Sequence, residues 1–484
     1  MTKFLILFFS LIFVSFSQGQ ECTCLQNFEW VTQTFEANDA GFQYVIDNKG
    51  KQAYLSHNAE FAEKAKSIHS NSSCTQMLFE WSKFFRSGHF GIRLLKNTEE
   101  RAVEKTVQSS QPNENWESLD VDVKKFEAYL AKKKDVDFEG IWETKPYKIG
   151  IKKEGEAYLG FIISSEAENW KAGHVKLKIT KVGETLHSTF YLRDKSAENS
   201  NSVELLGSNY LQIGRFRLKR ISPEFPLDKP IENYFASISS VKPFLEKLNE
   251  TTLVLRIPSF DSDARRDIDS VILVNRDKIL STENLIVDLR NNGGGSDGSF
   301  RELIPFIYTN PIRIVNLAFY STKLNNQRML DFINDASYGF DDEDKKWAKE
   351  SYEKLEKRIG EFVNLDSTLV SIKVLDTVYP YPKNVGIIIN EGNGSTTEQF
   401  LLAAKQSKKV KLFGTTTFGV LDISNMYFVK SPCLDFELGY CLSRSLRIPD
   451  MTIDNKGIQP DYYIDKSIPK HEWVSFVDGI LNAK

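Results

Sequence analysis

From Gln20 to about residue 105, apolar residues recur at three- to four-residue spacing, in FEWVTQTFEANDAGFQYVID and again in EFAEKAKSI. That is the period of amphipathic helices. TQMLFEWSKFFRSGHFGI then reads as a helix running into a turn and a strand. Residues 110–135 are polar, with one short helix expected in DVKKFEAYLAKKK and a linker around it. From 138 to about 225 the period changes to two. GIWETKPYKIGIKKEGEAYLGFIISS, VKLKITKVGETLHSTFYLRD and YLQIGRFRLKRI alternate apolar and polar residues around glycine-bearing turns. Short strands with turns at such intervals predict a small all-β barrel or sandwich. From about 230 the strand-length apolar runs TTLVLRIPSF, NLIVDLR and NVGIIIN are each followed by turn residues and a helical segment, which is α/β layering. DDEDKKWAKESYEKLEKRIGEFV reads as a charged amphipathic helix, a solvated face or a lid.

Composition changes this picture little. The chain has 484 residues, 41% hydrophobic and 26% charged, with a net charge of −3, as in an ordinary soluble globular protein. No charge excess points to nucleic acid or an anionic membrane. The first residues matter more. Lys3, the apolar run Phe4–Phe16 and the small residues Ser17 and Gly19 read as a secretory signal over 1–19. The run of about 13 residues is too short for the ~20 of a spanning helix. The expected product is exported, periplasmic or extracellular, with no membrane span after cleavage. Export permits disulfides among Cys22, Cys24, Cys74, Cys433 and Cys441. Cys433 and Cys441 can pair around a hairpin, and Cys74 can pair with Cys22 or Cys24. No Cys-x-x-Cys occurs and the six histidines are scattered, so neither metal nor cofactor is expected. Trp142, Tyr147, Tyr158 and Trp170 alternate with charges, as core or cross-strand pairs do, rather than forming a glycan surface.

Two segments can carry chemistry. In NVGIIINEGNGSTTEQFLLAAKQ a buried strand ends at Asn390, a glycine turn leads to Ser395, and a helix begins at Thr396. A serine at such a corner lies beside the free N–H groups of a helix start, as a nucleophile and an oxyanion site require. The structural alternative is an N-cap serine with Glu398 completing a capping box. In NLIVDLRNNGGGSDGSF a strand runs into Gly293, Gly294 and Gly295. Such glycines allow close approach of backbone to a ligand. No Lys-Ser/Thr follows, so this is not a phosphate loop.

IVDLRNNGGG, followed about a hundred residues later by strand, glycine turn and Ser-x-x-Glu, resembles the tail-specific (carboxyl-terminal processing) and tricorn-core serine protease superfamily. KLFGTTTFG, Lys411 to Gly419, is similar to its Gly-x-x-Thr-Phe-Gly strand, and DNKGIQPDYYI, Asp454 to Ile464, to its Gly-Ile-x-Pro-Asp element. The resemblance covers roughly 230–470 and implies an α/β, crotonase-like protease core over 230–484. An N-terminal helical subdomain over 20–110 and a small all-β middle domain over 138–225 precede it. It also implies Ser395 as nucleophile, with the N–H of Thr396 and that of Gly293 or Gly294 as oxyanion hole. Where the Ser-Lys branch has its lysine, this chain has Val420. The tricorn-like branch takes a histidine from the amino-terminal helical region and a carboxylate just before the Gly-x-x-Pro-Asp element. His89 in RSGHFGI and Asp454 match these places, with Gly88 where a serine precedes the histidine. The resemblance thus implies a Ser395–His89–Asp454 relay acting on peptide or protein substrates, with activity falling as pH drops through about 6.5. A catalytically inactive binding module on the same fold is the alternative. No PDZ-like carboxylate loop is visible in 138–225.

Overall fold

The computed structural model describes residues 22–95 and 116–483; the expected signal segment 1–19 lies outside them. The chain forms two compact units, each assembled from three stretches. Among the described residues, one comprises 22–95, 313–372 and 420–456; the other comprises 116–312, 373–419 and 457–483. The stretch 230–484, expected as one continuous core, therefore contributes to both units.

The second unit holds a six-stranded sheet in the order Phe244–Lys247, Thr252–Arg256, Asn284–Asp288, Asn384–Ile389, Val410–Gly414, Tyr462–Tyr463. The first pair is antiparallel and the rest are parallel. Its central strands are buried along their length except at Asn384, which is half-buried. That is why they read as unbroken apolar runs rather than alternating ones. The helix Trp473–Leu481 covers one face, packing Trp473 and Val477 on Val254, Ile286, Ile388 and Phe413.

The same unit contains a nine-stranded antiparallel sheet built from strands between Gly140 and Ser222. Two runs of sequential hairpin neighbours are joined where its first strand, Gly140–Thr144, pairs with its last, Phe216–Ser222; the alternation and frequent turns predict such antiparallel strands. Trp142, Tyr147 and Trp170 are buried in its core and Tyr158 packs against them, so these aromatics form no open glycan platform. Lys176 is also buried there. Its ammonium lies 3.8 Å from the Tyr147 and Trp170 ring centres and donates to the Leu192 carbonyl.

The first unit joins the helices Cys24–Asn38, Phe42–Lys49, Lys51–Lys66 and Asn71–Ser82 to a five-stranded sheet around Phe436–Ser445. Phe28, Phe35, Trp81 and Phe85 of the helical region share one core with Tyr427, Phe436 and Leu438 of the sheet. The charged helix Asp342–Glu356 buries Ala348, Ser351 and Leu355, so it covers a small core of its own with Met329 and Val363. Cys24 pairs with Cys74, as the spacing allowed. Cys433 pairs with Cys22 and not with Cys441. The hairpin explains this correction: Met426 is the residue facing Cys441, while Cys433 lies in the turn, and the Cys441 thiol is buried.

Candidate active site

The parallel register places the ends of Asn284–Asp288 and Asn384–Ile389 side by side. The loops that leave them are knitted together by asparagines. Asn390 takes the Asn291 N–H on Oδ1 (2.8 Å) and donates to the Asn291 side chain (2.9 Å). Asn393 donates to the carbonyls of Leu289 (2.5 Å) and Asn292 (3.0 Å). The Thr397 hydroxyl donates toward the Asn292 carbonyl and its Oδ1. Each of Asn292, Asn393 and Thr397 is buried, so the loops are held by side-chain amides that replace the missing ladder bonds.

Ser395 ends this turn with φ +55° and ψ −124°, and its hydroxyl does not cap the helix Thr396–Ala404. A left-handed conformation at a residue with a Cβ is strained and persists only where the surroundings impose it. Here the surroundings include Gly294. A Cβ on that residue would lie 2.7 Å from the Gly394 carbonyl oxygen, 2.8 Å from Ser395 Cβ and 2.9 Å from the Thr396 nitrogen. Gly294 itself has φ +105°. Only glycine lets the two loops meet this closely.

Two main-chain donors remain open beside Ser395. The Thr396 N–H, at the helix start, has no acceptor among the described residues, and neither has the N–H of exposed Gly293. The Gly294 N–H, the other expected candidate, is engaged by Asn292 Oδ1 at 3.1 Å. Gly294 therefore supplies space rather than a donor.

Glu398 is fully buried and does not complete a capping box. Its carboxylate accepts from the Thr417 hydroxyl (2.5 Å) and the Gly419 N–H (2.8 Å). Thr417 Oγ1 accepts in turn from the Ile458 N–H (2.7 Å). Three of the four motifs thus meet at one buried carboxylate, a role that Ser-x-x-Glu spacing alone does not distinguish from helix capping. The Phe418 N–H donates to the Asn393 carbonyl (2.7 Å), fixing this loop to the Ser395 turn. Asp288 and Arg290 form a buried ion pair at the strand end (2.7 Å).

His89 and Asp454 belong to the other unit. His89 has φ +54°. Its carbonyl accepts from Arg86 (2.8 Å), a buried guanidinium doubly bonded to Asp39 (2.8 and 2.6 Å). Its Nδ1 lies 2.6 Å from the Ile423 carbonyl. A carbonyl only accepts, so Nδ1 carries the proton and Nε2 keeps its lone pair. Burial lowers the His89 pKa to about 4, against the Ile423 bond, which raises it; the Arg86 charge lowers it further. The ring is therefore neutral at ordinary pH.

Asp454 reaches this imidazole through the backbone. Its Oδ1 accepts from the N–H groups of Leu421 (2.6 Å) and Asp422 (2.7 Å), and its Oδ2 from that of Ile423 (3.2 Å). Asp422 reciprocates by accepting from the Asp454 N–H (2.8 Å) and from Arg447 (3.1 Å). The expected carboxylate–imidazole bond is replaced at Nδ1 by a main-chain carbonyl, and Asp454 holds the peptide that carries it. Burial raises the Asp454 pKa despite these bonds.

A strained serine at a strand-to-helix turn beside two open amides is the arrangement that a nucleophile and an oxyanion site require. Residues 251–464 match the model of Peptidase family S41. A 127-residue stretch is 31% identical to "Probable CtpA-like serine protease" of Staphylococcus haemolyticus. That stretch is 24% of this chain and spans about a quarter, 25%, of the curated relative's length. The fold is that of mature CPAF in complex with lactacystin, with a TM-score of 0.50 at 13% identity over 95% of this chain and 97% of that one. Over 251–464 the chain is thus similar to Peptidase family S41.

Proposed function

We propose that this protein is an exported serine peptidase that hydrolyses peptide bonds in extended peptides or protein tails. Ser395 is its nucleophile and His89 its base. The observation that carries the reading is the Ser395 turn, where a strained serine stands beside the unoccupied N–H groups of Gly293 and Thr396. Ser395 Oγ attacks the peptide carbonyl and its proton passes to His89 Nε2, which carries the ring's lone pair because Nδ1 holds its proton toward the Ile423 carbonyl. The carbonyl oxygen, now negative, is met by the two amides. Collapse expels the amine with the proton from Nε2 and leaves an acyl ester on Ser395. Water, deprotonated by the same imidazole, releases the acid. Asp454 is a positioning residue that fixes the Ile423 peptide. Export is supported by the two disulfides, which belong to oxidising compartments.

The test is a peptide-library digest read by mass spectrometry, with residues 20–484 beside the Ser395→Ala variant. Cleavage by the first and none by the second is expected. Identical empty digests would move the protein to the binding-module alternative.

A further inference from the structure

Beside the support of His89, the first unit has a cavity of about 250 Å³, and every residue that lines it belongs to that unit. Its wall includes Ile423, whose carbonyl takes the Nδ1 proton of His89. It also includes Asp454, which accepts from the Ile423 N–H. The hydrolysis proposed above leaves this cavity unused.

The lining is graded. Val45, Phe85 and Ile423 are buried and apolar, whereas Lys49, Asn455 and Lys456 are exposed. The cavity therefore has an apolar floor and a cationic mouth. Each ammonium is steadied by a neutral acceptor. Lys49 donates to the Phe84 carbonyl and lies 4.8 Å from the centre of the Phe84 ring. Lys456 donates to the Thr452 hydroxyl at 2.6 Å. An ammonium has three donors, so each keeps two more. Among the described residues no carboxylate lies within ion-pair distance of either lysine.

The two acids of the wall are engaged elsewhere. Asp422 accepts from Arg447 on Oδ1 (3.1 and 3.2 Å), and from the N–H groups of Ile453 and Asp454 on Oδ2. Asp454 accepts from the three main-chain N–H groups of Leu421, Asp422 and Ile423. A cation entering the cavity would compete for acceptors already taken, while an anion meets two ammoniums with donors to spare. A bare inorganic oxyanion would leave the apolar floor unfilled, and a neutral apolar molecule would leave the ammoniums without a partner. The volume lies just below the range of about 300–1,000 Å³ usual for ligand pockets, which suits a body of one ring or a short branched chain. We propose that this cavity is a binding site for a small organic carboxylate, with its apolar body against Val45, Phe85 and Ile423 and its carboxylate on Lys49 and Lys456. The inference goes beyond the peptidase reading and does not depend on it, because binding is read without turnover.

The experiment titrates residues 20–484 at pH 7 with 4-fluorobenzoate, followed by fluorine NMR. 4-Fluorobenzamide, 4-fluorobenzylammonium and inorganic phosphate are run beside it. The benzoate is expected to bind at least about 10-fold more tightly than the amide, the low end for one charge-assisted bond, and more tightly than the cation or phosphate. Lys49→Met and Lys456→Met, both exposed changes that keep the apolar stem, should each weaken it by about 10- to 100-fold. Lys49→Arg should keep most of the affinity, and Lys456→Glu should turn the preference toward the benzylammonium. The ring resonance of His89 should move with the same saturation midpoint, because the ligand touches Ile423. Equal binding of benzoate and benzamide, tighter binding of phosphate, or a benzoate affinity unchanged in both methionine variants would overturn the inference. The last result would mean that the carboxylate binds elsewhere, as at the amides beside Ser395, and would leave the peptidase reading standing.

Discussion

The acid limb of the pH profile tests the proposed base. An imidazole with the ordinary pKa of about 6.5 would be only about 9% neutral at pH 5.5, whereas one at about 4 would be about 97% neutral. The structure puts His89 in the second class. Its ring is desolvated, its backbone carbonyl is held by the Arg86 guanidinium, and the Ile423 carbonyl is its compensating partner. The difference from 6.5 to about 4 corresponds to roughly 3 kcal/mol against charging the ring. The neutral ring is the active form, so activity should persist as pH falls and be lost only as pH passes through about 4 to 5. This revises the limb near 6.5 that residue type alone implies. The measurement is kcat/KM for a fluorogenic peptide from pH 3.5 to 8, with near-UV circular dichroism at each pH to separate titration from unfolding. kcat/KM reports the free enzyme, whose structure is the one described. An acid limb centred near 6.5 in folded protein would refute the burial argument, and a purely alkaline rise would refute His89 as base.

Two substitutions probe the supports of the site. Gly294→Ala forces a methyl group to within 3 Å of the Gly394 oxygen, Ser395 Cβ and the Thr396 nitrogen at φ +105°. It should lower kcat at least about 100-fold, as a misplacement of about 1 Å does, while Gly293→Ala, whose methyl meets nothing within 4 Å, should lower it far less. Equal losses in steady-state assays would remove the packing role assigned to Gly294. Asp454→Asn preserves shape but faces one of three main-chain N–H groups with a donor instead of an acceptor. It should cost about 1–3 kcal/mol in urea unfolding and lower kcat more than it raises KM. It should also displace the acid limb, because Ile423 carries both the Asp454 bond and the His89 bond. An unchanged limb would reduce Asp454 to a purely structural acid.

The sequence by itself determined the elements and their chemistry. Buried parallel strands must be apolar throughout, so TTLVLRIPSF, NLIVDLR and NVGIIIN marked the central layer, and alternation marked the strands between Gly140 and Ser222. The Ser395 corner was legible because glycines are needed where backbones nearly touch, and Gly294 fulfils that need. Direction, pairing and partnership were decided only by the tertiary structure. Ser-x-x-Glu reads equally as a capping box, and burial against Thr417 and Gly419 made Glu398 a clamp between motifs. RNNGGG and NEGNGS displayed their asparagines openly. Their bonds cross about a hundred residues of chain, which no local spacing encodes. The same holds for Cys433, whose partner is 411 residues away, and for Nδ1 of His89, which is fixed by the carbonyl of Ile423. Local periodicity records which face of an element is dry. Which distant group satisfies a buried donor, or completes a disulfide, depends on where the folded chain returns.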